Sequence, residues 1–148
     1  MSFFDAINIS ASGLTAERTE MDVTAENLAN ASSTNNGTPY QPQAVDLQSV
    51  GSGNSFENEL VSAMGGSSQS GTPGGVEVSG IVSENVPAQL VYDPGNPQAN
   101  KQGYVKEPNI QPVTEMTNMI QESNSYQADV TAMETSKQMY SDTLELLK

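Results

Sequence analysis

The side chains that do most enzyme and metal chemistry are missing or scattered in this chain. It contains no His and no Cys. No thiolate or imidazole is present to attack a carbonyl or to move a proton near neutrality. The same absence removes the usual ligands of zinc, copper, haem and iron–sulfur centres. What remains is oxygen chemistry. Asp93-Pro94-Gly95-Asn96-Pro97 places hard-cation ligands, Asp and Asn, in one short segment. Asp-Pro-Gly and Asn-Pro are also among the strongest turn signals, and a turn is the expected outcome. Glu17, Glu20 and Glu26, near Arg18, read as a solvated helix face rather than a carboxylate dyad. Gly65-Gly66 and Gly74-Gly75 lack the following Lys and the opening helix of a phosphate cradle. Lys is scarce, and nothing groups it with a Ser. The sequence therefore assigns no catalytic residue, no cofactor site and no metal ligand.

Composition limits the rest. The 148 residues suffice for one ordinary domain, or for two long helices around a small second unit. Hydrophobic residues make up 35%, below the usual share of about 45–50%. Aromatics are 5% and Trp is absent, so a large self-sufficient core is not expected. Eighteen acidic and five basic residues give a net charge of −13. That surface repels phosphate backbones and anionic lipid headgroups, which argues against nucleic acid and membranes as partners. The opening Met1-Ser2-Phe3-Phe4-Asp5 lacks the basic start and apolar centre of a secretory signal, so no cleaved signal is expected. No apolar run approaches the roughly 20 residues that span a bilayer, and direct membrane insertion is not expected.

Two periodic segments would have to position anything functional. Phe4, Ile7, Ala11, Leu14, Met21, Ala25 and Leu28 follow alternating steps of three and four, interrupted at Arg18. Such spacing predicts a helical seam of about four heptads. A period of 3.5 implies a left-handed coil against a partner. Gly13, beside Ala11, Ser12 and Ala16, makes a flat strip where another backbone can come close. After Pro112, suited to a first helical turn, the same alternation runs through Met116, Met119, Ser123, Tyr126, Val130, Met133, Lys137, Tyr140, Leu144 and Leu147. A helix over 112–147 would be roughly 54 Å long. The two seams are expected to pair antiparallel as a coiled coil.

The middle differs. Residues 31–39 form a polar turn that ends the first helix. Seven of the twelve glycines fall within 51–75, which reads as part of a flexible Gly/Ser loop over about 48–75. Within it, Asn54 and Glu57 could cap a short turn carrying Phe56, Leu60, Val61 and Met64. Val76, Val78 and Val82, followed by Leu90, Val91 and Tyr92, predict a hairpin joined through 83–87. A further extended piece is expected over 40–47. The expected fold is mainly α with a small β-rich middle. A discontinuous terminal-helix domain covers 1–32 and 111–148, and a central irregular, β-rich domain covers 33–110.

Several segments carry a resemblance. Ser12-Gly13-Leu14-Thr15-Ala16 and Asn27-Leu28-Ala29-Asn30 resemble the amino-terminal motif of the flagellar rod and hook axial protein family. Pro39-Tyr40-Gln41, Glu115-Met116 and Ser125-Tyr126-Gln127-Ala128-Asp129-Val130 extend the likeness. Its most specific part is the pair Val91-Tyr92-Asp93-Pro94-Gly95-Asn96-Pro97-Gln98-Ala99-Asn100 and Gly103-Tyr104-Val105-Lys106-Glu107-Pro108-Asn109, similar to the proximal-rod members. Only about 48–74 lacks a counterpart. Asn96 stands where the family pattern often has His, and Asp129 where Asn is usual.

The resemblance implies a non-catalytic structural subunit of the bacterial flagellar basal-body rod, without cofactor. Such subunits leave the cell through the flagellar type III apparatus without a cleaved signal. They assemble at the growing tip into the axial tube that transmits torque and continues the export channel. The implied partners are copies of itself, other rod proteins, basal-body ring components and the export gate. The implied architecture has paired terminal helices forming the inner tube and the middle packed outside. A heterologous contact that does not close generates such a helical polymer. Two other classes remain open from the residues alone. A cytoplasmic coiled-coil adaptor would explain the seams but not the turn-rich motifs, and a carboxylate- or calcium-dependent hydrolase would need acids converging on a pocket.

Overall fold

The computed structural model describes residues 3–35, 37–50 and 74–146. Two long helices frame three small strand pairs. Helix α1 spans Phe3–Ala29 and helix α2 spans Pro112–Glu145. Between them lie β1 (Thr34–Asn35), β2 (Thr38–Pro39), β3 (Gln43–Ser49), β4 (Val76–Ser83), β5 (Gln89–Tyr92) and β6 (Tyr104–Glu107).

Local chemistry explains the helix ends. Pro112 opens α2, where its missing N–H leaves no bond unmade, and Gln111 before it is extended. The Gln111 carbonyl accepts from the N–H groups of Thr114 and Glu115, closing the first turn. At the far end of α1, Asn30 returns its backbone N–H and its side-chain Nδ2 to the Glu26 carbonyl. The chain can then leave the helix without stranding polar groups.

The two helices pack against each other and run antiparallel. Gly13 lies against Asp129, Glu17 lies beside Ser125, Thr24 hydrogen-bonds Glu122 and Asn27 lies beside Glu115. Residue numbers rise along α1 as they fall along α2. With Gly13 opposite Asp129, the last turns of α2 run beyond the start of α1. Met139, Tyr140, Leu144 and Leu146 there are exposed, Leu146 at 88%. At the opposite end Val113, Met116 and Ile120 are exposed as well.

The strands form three separate antiparallel pairs, β1–β2, β3–β4 and β5–β6. The expected hairpin of 76–82 with 90–92 does not form. β4 pairs back onto β3, Val45 facing Ile81 and Leu47 facing Val78, with an irregularity between Asp46 and Leu47. β5 pairs forward onto β6, Val91 facing Val105 and Tyr92 facing Tyr104. Two features divert the pairing. The Glu84 N–H is already given to the Pro42 carbonyl, extending the β3–β4 ladder. Pro87 has no N–H to offer a ladder between β4 and β5. The extended piece expected over 40–47 is β3. The Gly/Ser segment and the short turn expected at Asn54 and Glu57 lie outside the described residues from 51 to 73, as does Leu147.

The core among the described residues is small. Ala16, Val23 and Val105 are buried, with Thr24 and Asn27 buried beside the helix interface. α2 has no buried residue.

Candidate functional site

α1 carries the contacts that hold everything else, and three of its residues do so by different means. Ser12 Oγ donates to the Ile9 carbonyl at 2.7 Å and accepts from the Val76 N–H at 3.0 Å, fixing the start of β4 on the helix. Gly75, at φ 111°, precedes that strand, and a Cβ there would run into Ser12 Oγ. Gly13 lets α2 approach, because a Cβ would meet the Asp129 carboxylate. Asn27, buried, grips β3: its Nδ2 donates to the Gln43 carbonyl at 2.8 Å, and its Oδ1 accepts the Gln43 N–H at 2.9 Å. The same Oδ1 accepts the Tyr40 hydroxyl at 3.1 Å. Asn27 thus imitates a neighbouring strand. Burial, then Glu26, raises the Tyr40 hydroxyl above its ordinary pKa.

Between the helices the polar groups are acids. Glu17 and Glu20 are partly buried toward α2, so the solvated face expected for them is corrected; Glu26 and Arg18 are exposed. The face of α1 that meets α2 includes Gly13, Glu17, Glu20, Thr24 and Asn27, with Ala16 and Val23 buried among them. Thr24 Oγ1 donates to Glu122 Oε1 at 2.8 Å, while Glu122 Oε2 is buried with no hydrogen-bond partner among the described residues. Burial foremost, then Glu20, Asp129 and Glu122, raises the Glu17 carboxyl above its ordinary value, and a bond from Ser125 offsets part of this. Glu20 is raised by burial and then by Glu122. Glu115 is raised by burial, Glu122 and Glu84, with Asn27 acting the other way. Two adjoining clefts of about 280 and 230 Å³ open here, and no Lys or Arg lines either among the described residues. No cluster of three or more acids among those residues is arranged to hold a metal ion.

The segment that could have been a cation loop spends its oxygens on its own backbone. Asp93 Oδ1 accepts the Gly95 N–H, Asn96 Oδ1 the Gln98 N–H, and Asn100 Oδ1 the N–H groups of Gln102 and Tyr104. These are Asx turns. Gln98 joins the loop to β1 by donating from Nε2 to the Thr34 carbonyl. Val105 and Pro108 turn inward and are buried; Pro94, Pro97 and Asn109 are exposed, and Ala99 and Gly103 partly buried.

Of the predicted seam, Ile7, Leu14, Met21 and Leu28 on α1 and Met119, Tyr126, Val130 and Met133 on α2 are partly buried. Met116, Tyr140 and Leu144 are exposed, and Phe4 lies in the first turn of α1. Ala29 is exposed and Asn30 partly buried at the helix end. The roles of Thr24, Glu115 and Glu122 were not legible in the sequence, although polar residues at steps of three and four along α1 mark the same face.

No helix among the described residues is long and apolar enough to cross a membrane. The model of flagella basal body rod proteins matches residues 7–36, and that of the flagellar basal body rod FlgEFG protein C-terminal region matches 101–146. The flagellar basal-body rod protein FlgC of Bacillus subtilis is 44% identical over 154 aligned residues, covering all of both chains. FlgC of Escherichia coli O6:H1 is 38% identical and that of Salmonella typhimurium 37%, each covering 99% of this chain and 98% of its own. Matches at both helices, and relatives aligned through the Ser12, Asn27 and 91–109 segments between, lead to one conclusion: the chain belongs to the FlgC family of flagellar basal-body rod proteins.

Proposed function

We propose that this flagellar rod subunit polymerises through its terminal helices into the axial tube of the proximal rod, the β-bearing middle lying outside the helices. The tube would transmit torque and continue the export channel. The observation that carries this reading is α2: a 34-residue helix with no buried residue and exposed apolar side chains at both ends. A helix so placed needs neighbours to cover it, and a family of rod proteins supplies them.

The helical pair winds as a left-handed coiled coil in the polymer, with the seam from Phe4 to Leu28 and from Met116 to Leu147 as its contact positions. Copies of the chain, other rod proteins, ring components and the export gate are its partners. The chain performs no catalysis. It crosses the envelope through the flagellar export apparatus without a cleaved signal, and lacking Cys it has no disulfide to resist unfolding. The family match leaves the adaptor reading without support.

Deleting the gene and restoring it with a tagged copy tests this. The tag should copurify with isolated basal bodies, and deletion should leave cells without rods or filaments. Normal rods in the deletion strain would overturn the reading.

A further inference from the structure

We propose that the outer face of the β5–β6 hairpin docks on the carboxylate-lined face of the helical pair of a second copy of this chain. The inference rests on the polymerising-subunit reading and names one of its contacts.

The hairpin presents an unusual surface for so acidic a chain. Val91 and Val105 turn inward, so strand alternation places Leu90, Tyr92, Tyr104 and Lys106 together on the outside. Leu90 is 60% exposed, Tyr92 64% and Tyr104 41%. The two tyrosine rings meet edge to face with centroids 5.3 Å apart. Exposed Tyr with little freedom to lose is the composition of an interface centre. The loop behind is already ordered: the Gly103 N–H goes to the Asn100 carbonyl, the Asn100 N–H to Tyr104 and the Asp93 N–H to Gly103. Preorganisation of this kind lowers the cost of binding.

Charge selects the occupant. Five basic residues stand against eighteen acids, and two of the five, Lys101 and Lys106, are exposed on this hairpin. The complementary surface lies on the same chain. Glu17, Glu20, Glu115 and Glu122 face the clefts between α1 and α2, where Glu122 Oε2 is buried and lacks a donor among the described residues. Lys101 and Lys106 from a neighbouring copy bring positive charge to cleft rims whose lining holds acids and no Lys or Arg among the described residues. Two different patches on one chain make a heterologous contact, which extends into a helical polymer if the rotation does not close.

The absence of Cys allows a direct test by cross-linking. Two differently tagged copies, one with Lys106→Cys and one with Glu20→Cys, are expressed together in a host where the chain supports motility, and basal bodies are isolated and oxidised. A disulfide-linked dimer bearing both tags is the expected result. Both tags present in basal bodies with no such dimer, or Lys106→Cys linked instead to a different rod protein, overturns the inference and leaves the rod reading intact. If neither tag enters basal bodies, the rod reading fails and the inference with it. Charge exchange gives a second readout. Lys106→Glu or Glu20→Lys alone should lower rod assembly by about tenfold or more, and the two together in one chain should restore it. A double variant no better than the singles overturns the contact.

Discussion

At the scale of residues, side chains that replace backbone partners hold the middle of the chain to α1. Asn27 satisfies both polar groups of Gln43 and holds the Tyr40 hydroxyl, all next to the helix interface. In Asn27→Ala the Gln43 N–H and carbonyl lose their partners near a buried position, a cost of about 2–4 kcal/mol. Tyr40→Phe removes one bond and should cost about 1 kcal/mol. The check is the temperature at which isolated basal bodies release the chain: Asn27→Ala should lower it markedly and Tyr40→Phe slightly. Equal release temperatures would mean that β3 is held by something else. The sequence marked Ser12 and Asn27 through family resemblance, without their roles, while the close approach allowed by Gly13 was legible from its small neighbours. The roles of Ser12 and Asn27 depend on where β3 and β4 arrive, and no local spacing states that. Asp93, Asn96 and Asn100 were different, because an Asx turn is a local device and its signal is local too.

At the scale of elements, the long helices were legible because only a helix sustains a 3.5-residue apolar period over 27 or 34 residues. The strand pairing was not. β3–β4 and β5–β6 are each two-stranded, so the choice of partner depends on competing registers and on Pro87, not on hydrophobicity alone. The inner face of α1 was equally hard to assign, since a polar stripe looks the same whether it meets water or another acidic helix. That meeting makes the helix pair sensitive to pH. Glu17, Glu20 and Glu115 take protons more readily in the folded pair than in an open chain, because burial and neighbouring carboxylates disfavour their charge. The folded state therefore binds more protons, and helix pairing strengthens as the pH falls through the raised values. The gain is complete below the ordinary value of 4.5 and is lost as the pH rises again. Helical circular dichroism of the chain should rise from pH 7 toward pH 5, and Glu17→Gln with Glu20→Gln should flatten that rise. A signal that falls over the same interval would contradict the electrostatic reading.

At the scale of the whole molecule, the described core of two valines and an alanine is small for two helices of this length. Fixing each residue of a helix costs on the order of 1–2 kcal/mol in backbone entropy, and burial must offset most of it. Much of the apolar surface that could do so is instead exposed, at Val113 and Ile120 on one end of α2 and at Leu144 and Leu146 on the other. In the proposed rod, neighbouring subunits would complete the fold, and assembly and helix formation would be coupled. A charge at an exposed contact position should therefore act on assembly alone: Leu144→Asp is expected to abolish rods while leaving the dilute chain's circular dichroism nearly unchanged. A large spectral change in the dilute variant would place Leu144 in the subunit's own core. The most direct test of this coupling is the helicity and thermal melt of the dilute wild-type chain at neutral pH. Low helicity and a broad, non-cooperative melt are expected, with helix gained only on assembly. Full helicity with a sharp cooperative melt in dilute solution would contradict the coupling, because the helices would then form a bundle that needs no neighbours.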